Sequence, residues 1–340
     1  MSKPAKSPVT THDVAKRAGV SQPTVSLVLS RNPKARVAPK TRERVLSAAR
    51  ELGYRPNLLA QGLVRRRSYS LGLVVPDLRD PFFADVASGA ERVAAEEGYA
   101  LLLCDRHGNG AARHLEALRS RQIDGVIIDA SAAAALGAAA LDGLDVVLID
   151  QPDGAWPGVA SDAEAAGRVA AEHLISLGHT RFAFMGPAAD VHTFRMRERG
   201  FVVALRDAGI PLASEAMRRG PATVTGGMDA MRALLALPDR PTAIFCANDL
   251  MALGAHKTCA QRHVAIPADI SIVGCDDIEM ARLVTPELTT VAVPAREIGA
   301  RAARLLVGHR TAPGARHARS KLLPVRLMVR GSSGPAPTAR

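Results

Sequence analysis

The sequence predicts two architectures in series. An all-α N-terminal unit with a helix-turn-helix layout is followed by a longer α/β body built on parallel sheets. Three observations point there. Caps and glycines break residues 10–53 into three short helical stretches. From Ser70 onward, continuous apolar runs alternate with helical stretches. The basic charge is confined to the start of the chain. The 340 residues carry a net charge of +11, and fifteen of the 44 Lys and Arg, but three of the 33 Asp and Glu, lie at or before Arg67. That basic excess suits a polyanion, and nucleic acid fits better than an anionic membrane. The segment has few large apolar residues for an amphipathic face.

The three helices can be read from their ends. Thr10-Thr11-His12-Asp13 has the form of a capping box and predicts a helix over Val14–Ala18. Gly19 ends it, since glycine takes the left-handed position without penalty. Ser21 is placed to cap a second helix, with Pro23 in its first turn. That helix runs to about Leu29, with Val25, Val28 and Leu29 on its apolar face. The third starts near Pro39 and runs through Arg42, Val45, Leu46 and Ala49 to Leu52, closed by Gly53. Such a layout places the N-terminal residues of the second helix on base edges in the major groove.

In the body, Leu71–Val75, Ala100–Leu103, Val126–Ile128, Val146–Ile149, Phe182–Met185, Ala243–Cys246 and Ser271–Gly274 read as buried strands. Phe83–Glu97, Ala111–Arg121, Ala163–Leu177, Arg195–Ala208, Gly227–Leu237 and Leu250–Gln261 read as helices. Buried strands alternating with helices make parallel sheets, and ligands bind beyond the carboxyl ends of such strands. Polar residues cluster at those ends: Pro76-Asp77, then Asp80-Pro81-Phe82-Phe83, Asp150, Asn248-Asp249 and Asp276-Asp277. Asp249 reads as a helix cap. Asp150, Asn248 and Asp276 read as converging on one cleft.

Other classes find little support. No apolar run reaches the roughly 20 residues of a membrane span; the Ala-rich stretch Ala132–Leu141 falls well short. The polar N-terminus predicts no export, and a cytoplasmic protein associated with the nucleoid is expected. Cys104, Cys246, Cys259 and Cys275 form no C-x-x-C pair and read as reduced core thiols. Gly108-Asn109-Gly110 lacks the dinucleotide fingerprint. There is no phosphate loop, metalloprotease motif or serine elbow, so no enzyme, metal or cofactor is expected.

The wording of the N-terminal unit is more specific than its layout. Asp13-Val14-Ala15-Lys16-Arg17-Ala18-Gly19-Val20-Ser21 with Thr24-Val25-Ser26 closely resembles the headpiece of the lactose-repressor (LacI) family. Lys40-Thr41-Arg42-Glu43-Arg44-Val45 and Leu52-Gly53-Tyr54-Arg55-Pro56-Asn57 continue the match, which extends over nearly the whole chain. The resemblance implies a headpiece over 1–56, a hinge helix and linker over 57–69, and a two-lobed periplasmic-binding-protein-like body of type I over 70–330. One lobe would hold 70–162 with 291–319, the other 163–290 with 320–330. A disordered tail, 331–340, would follow.

By that resemblance, DNA contacts fall on Thr10, Ser21, Gln22, Pro23, Thr24, Ser26 and Leu27. Asn57, Ala60 and Leu63 would form the hinge, with Leu63 as a minor-groove wedge. Gly62 lowers helix propensity there by about 1 kcal/mol against alanine. Leu27 stands where many members carry an arginine, and leucine can touch only a thymine methyl. The effector would sit between the lobes on Phe82, Phe83, Asp150, Thr193, Arg197, Asn248 and Asp276. The purine-sensing pattern has an arginine where this chain has Val191, and an aromatic in several members falls near Ala222. Carboxylates and arginine beside an aromatic suit a polyhydroxylated sugar. The expected protein is a homodimeric repressor on a palindromic operator, controlled by a sugar. A solute-binding transport protein and a purine-dependent corepressor-type regulator are the alternatives.

Overall fold

The computed structural model describes residues 9–29, 37–54, 67–106, 110–151, 156–311 and 322–337. Thr10 opens the first helix. Its backbone N–H and its hydroxyl donate to the Asp13 carboxylate at 2.8 and 2.7 Å, and its Oγ1 accepts from the Asp13 N–H at 3.4 Å. The capping box thus starts α1 (Thr11–Ala18) earlier than Val14, and Gly19 closes it at φ 61°. Helices α2 (Gln22–Leu29) and α3 (Pro39–Glu51) follow. Val14, Val25, Val28 and Val45 fill the core between the three. The Arg44 guanidinium donates to the carbonyls of Ala18 at 2.6 Å and Gly19 at 3.0 Å, tying α3 to the turn between α1 and α2. Leu46, beside the buried Val45, is 40% exposed. It lies about 100° around the helix from Val45, off the packed face. This unit, up to Ser68, is one of two into which the chain divides; the other starts at Tyr69.

The second unit has two lobes. In the first, β1 (Ser70–Val75), α4 (Pro81–Glu96), β2 (Ala100–Asp105), α5 (Gly110–Ser120), β3 (Gly125–Asp129), α6 (Ala130–Leu136), α7 (Ala138–Leu141), β4 (Val146–Ile149) and β5 (Gly158–Val159) occur in that order. The strands form one parallel sheet ordered β2-β1-β3-β4-β5. The second lobe holds α8 (Ala163–Ser176), β6 (Phe182–Pro187), α9 (His192–Asp207), β7 (Met217–Gly220), α10 (Val224–Leu235), β8 (Ala243–Cys246), α11 (Asp249–Gln261), β9 (Ser271–Asp276) and β10 (Thr289–Ala292). Helix α12 (Ala295–Thr311) returns to pack on α4, and β11 (Arg326–Met328) pairs antiparallel with β10. The second sheet is ordered β11-β10-β9-β8-β6-β7. Because β10 belongs to it, the chain crosses back after Ala292, slightly later than residue 290. Two of the crossings lie side by side: the Leu323 N–H donates to the Ala160 carbonyl and the Asp162 N–H to the Leu323 carbonyl, both at 2.9 Å.

The expectation of a disordered tail from residue 331 is corrected by the structure. The Ser332 hydroxyl is buried, accepting from the Thr289 N–H at 2.8 Å and donating to the Ile272 carbonyl at 2.6 Å. The Gly334 N–H donates to Ser271 Oγ at 3.0 Å and the Ala336 N–H to the Leu177 carbonyl at 2.9 Å. Small polar residues here satisfy backbone and hydroxyl groups of the second lobe. Composition alone reads the same residues as solvated.

One close approach decides where the second lobe's main side chain sits. A Cβ on Gly167 of α8 would lie 1.8 Å from the Arg197 carbonyl oxygen of α9, and one on Gly200 would lie 1.9 Å from that of Glu164. The two backbones touch, and only glycine fits. On the same helix Phe201 packs between Phe184 and Phe245, with centroids 6.0 and 5.3 Å away. The two glycine contacts and the aromatic cluster fix the height and rotation of α9. Gly167→Ala and Gly200→Ala should each lower the melting temperature by several degrees, a loss of about 1–3 kcal/mol from overpacking. Gly308→Ala, at an exposed helical position where an added Cβ would meet no described atom within 4 Å, should be neutral or gain up to ~1 kcal/mol. Calorimetry of the three variants checks this, and equal behaviour would refute the close-packed crossing.

Candidate functional site

On the N-terminal unit, α2 shows solvent the face that the sequence marks. Ser21, Gln22, Pro23 and Ser26 are exposed, Leu27 is 45% exposed and Thr24 half-buried. The Ser21 and Thr24 hydroxyls are 2.8 Å apart, and Gln22 Nε2 donates to Thr11 Oγ1 at 2.8 Å. Those two bonds hold the polar side chains in place over the start of the helix. Thr10 is occupied by its own capping box. Asn57, Ala60 and Leu63 lie outside the described residues.

In the body, a cleft of about 820 Å³ opens where the carboxyl ends of both sheets face each other. All seven residues expected there line it: Phe82 and Phe83, Asp150, Thr193, Arg197, Asn248 and Asp276. Val191 and Ala222 line it too. Phe82 and Phe83 meet edge to face, 5.2 Å between centroids. They open α4, where Asp80 Oδ1 accepts from the Phe82 N–H at 3.0 Å and Pro81 fills the first turn.

Arg197 forms the cleft's floor. The residue is 3% exposed, and its guanidinium donates to the Ala247 carbonyl and pairs with Asp276 at 2.8 Å. It also lies over the Phe194 ring, 5.5 Å from the centroid. Burial disfavours its charge, but Asp276, with help from Asp150 and other neighbours, more than offsets that, so the group stays protonated. Burial pushes the Asp276 carboxyl up, and Arg197 pulls against it. Arg197 Nε has no hydrogen-bond partner among the described residues.

Backbone strain gathers at the cleft carboxylates. Asp150, Asp276 and Asp277 lie at φ 66°, 130° and 57°. Such conformations cost of order 1–3 kcal/mol each and persist where the surroundings hold them, commonly at ligand sites. Asp276 is braced through its neighbours. Asp249 Oδ2 accepts from the Ile278 N–H at 3.0 Å and Oδ1 from the Thr290 hydroxyl at 2.6 Å, while Arg330 pairs with Asp277. Asp150 is held through its carbonyl, which accepts from the Thr193 hydroxyl at 3.0 Å and so links the two lobes. Burial and the charges of Asp129 and Asp80 push the Asp150 carboxyl up to about 7, although Arg197 lowers it.

One assignment is reversed. Asn248, not Asp249, caps α11: its Oδ1 accepts from the Met251 N–H at 3.0 Å. The helix starts one residue later than the cap, so Asp249 turns inward as the brace just described. Asn248 keeps its place in the cleft as well, its Nδ2 donating to the Ala222 carbonyl at 3.4 Å. Three charged lining residues escaped the sequence reading: Arg79, Arg106 and Asp129. Asp129 ends β3 as Asp150 follows β4, so strand-end position was the available signal for it.

With the geometry established, comparison with known proteins identifies the chain's relatives. Residues 10–57 match the model described as bacterial regulatory proteins, lacI family. Residues 171–333 match that of the periplasmic binding protein-like domain. The ribose operon repressor of Escherichia coli (strain K12) is 33% identical over 331 residues, covering 95% of this chain and 99% of that protein. The crystal structure of the Lac repressor dimer bound to operator and the anti-inducer ONPF superposes with a TM-score of 0.83 at 29% identity, covering 96% of this chain and 100% of that one. A LacI family transcriptional regulator from Enterococcus faecium with bound ribose gives a TM-score of 0.71 at 30% identity, covering 78% of this chain and 99% of that one. A basic helix-turn-helix unit, a two-lobed body with a strained polar cleft, and relatives matched along nearly their full length agree: the chain belongs to the LacI family of bacterial regulatory proteins.

Proposed function

We propose that this protein represses transcription as a homodimer on a palindromic operator, under the control of a sugar bound between the lobes. The DNA contacts are assigned to Thr10, Ser21, Gln22, Pro23, Thr24, Ser26 and Leu27, with Asn57, Ala60 and Leu63 as the hinge contacts. The protein is a DNA-binding regulator, not an enzyme, and it acts on the nucleoid in the cytoplasm. The observation that carries the sugar reading is the cleft itself: Arg197, Asp150, Asn248 and Asp276 face one space beside Phe82 and Phe83. Carboxylates accept from hydroxyls, an amide and a guanidinium donate to them, and aromatic edges cover a ring's apolar face. The ribose-linked relatives support the same class.

Control follows from linkage. A sugar that bridges the lobes binds one lobe arrangement better than another, and DNA affinity shifts by that difference, typically ~1–3 kcal/mol. At the headpiece, Gln22 is the α2 side chain best suited to paired base contacts, since Pro23 and Leu27 offer no donor.

Two measurements follow. Fluorescence anisotropy with selected genomic fragments should show sequence-selective binding, and Gln22→Ala should weaken the preferred site by about 5- to 150-fold, as expected for a lost base contact worth ~1–3 kcal/mol. Uniform affinity for all fragments would sink the repressor reading. The second concerns Asp150. Its native pKa of about 7 lies above the ordinary 3.8, so the native state favours the protonated form. The stability this contributes is complete below about pH 4 and is lost as pH rises through 7. The sugar-free protein should therefore lose more stability between pH 4 and 7 than Asp150→Asn does in chemical unfolding. Identical pH profiles would contradict it.

A further inference from the structure

Among the described residues, the charges lining the cleft do not balance. Three guanidiniums, Arg79, Arg106 and Arg197, face five carboxylates. Each guanidinium has a carboxylate of its own. Arg79 pairs with Asp77 and Arg197 with Asp276, both at 2.8 Å. Arg106 attracts Asp129, which also accepts from Ser131 and from the Ala132 N–H. Asp80 and Asp150 remain.

These two are poorly compensated. Asp80 spends one oxygen capping α4. The Asp150 carboxylate makes no hydrogen bond with any described residue; burial and the charges of Asp129 and Asp80 oppose its charge, and Arg197, itself paired with Asp276, only partly offsets them. Asp80 is likewise pushed up, chiefly by burial. A shared metal ion does not resolve this, because among the described residues no three His, Cys, Asp or Glu come close enough to hold one. A neutral polyol supplies hydroxyl donors but no charge. Closing the lobes over it removes water from two carboxylates whose shared counter-charge, Arg197, is already paired with Asp276. The buried Arg197 Nε, moreover, lacks an acceptor among the described residues.

We propose that the effector is cationic: an amino sugar or related aminated polyol, with its ammonium at Asp80 and Asp150 and a ring or hydroxyl oxygen accepting from Arg197 Nε. This rests on the sugar reading and narrows it. An ammonium offers three donors and the missing charge in one group. The neutral parent sugar offers the same ring without that charge, and the N-acetyl derivative offers the same nitrogen without it.

The test is a set of matched ligands on the full-length protein at pH 7.5, read by thermal shift and calorimetry. Glucosamine, galactosamine and mannosamine are each compared with the parent hexose and the N-acetyl form, with ribose, adenine and hypoxanthine alongside. One amino sugar should raise the melting temperature and bind at least tenfold tighter than both of its neutral counterparts. Asp150→Asn should abolish that advantage. Asp80→Asn, which keeps a side chain able to cap α4, should reduce it. Should either variant fail to fold, the comparison of matched ligands on the unaltered protein still decides. Equal or better binding of a neutral sugar overturns the cationic effector and leaves the sugar reading standing. A response to purines alone, or to no member of the set, overturns both.

Discussion

The buried pair of Arg197 with Asp276 organises the regulatory body. It joins α9 to the end of β9, and the same guanidinium reaches the end of β8 through the Ala247 carbonyl. One side chain therefore ties three segments of the second lobe together where they form the cleft floor. A pair so deeply buried gains little net stability, because desolvation cancels much of the attraction. Losing one partner is another matter, since it strands a charge. That asymmetry makes the pair a constraint on geometry more than a source of stability.

The surrounding structure serves that constraint. Gly167 and Gly200 let α8 and α9 touch backbone to backbone, which sets Arg197 at the right depth. Asp249, Thr290 and Arg330 hold the strained turn that presents Asp276. Across the cleft, Asp150 is strained as well, and the Thr193 hydroxyl ties its carbonyl to the same helix that carries Arg197. Helix α9 thus touches both lobes at the cleft. A ligand that pulls on Asp150 pulls on α9, which gives a physical route from cleft occupancy to the lobe arrangement.

Much of this was legible in the residues. The apolar runs from Leu71 to Gly274 all form strands, and six are buried because interior parallel strands need apolar residues on both faces; the seventh, β2, lies at a sheet edge with Ala100 and Leu103 exposed, against the expectation of a buried strand. Asp150, Arg197, Asn248 and Asp276 converge as strand-end and motif position suggested. Other features left no such mark. Strand β7, Met217–Gly220, carries Arg218 and Arg219 at a sheet edge and so lacks an apolar run. The packing of Ser332 and Gly334 depends on partners some 60 residues away, which composition does not encode. Asn248 took the cap expected of Asp249, in addition to its place in the cleft, because helix starts are fixed by the partners of single N–H groups. The contacts of Gly167 and Gly200 are invisible without the crossing itself.

The central claim is that Arg197 and Asp276 act as one unit. A double-mutant cycle on unfolding free energy measures this directly, using Arg197→Met, Asp276→Asn and the two together. Each single variant should be strongly destabilised by the charge it strands, or by the charge partner it loses. The double variant should lose far less than the sum of the two, because no uncompensated charge is left. Losses that simply add would show that the two side chains act independently, and the account of the cleft floor would fail.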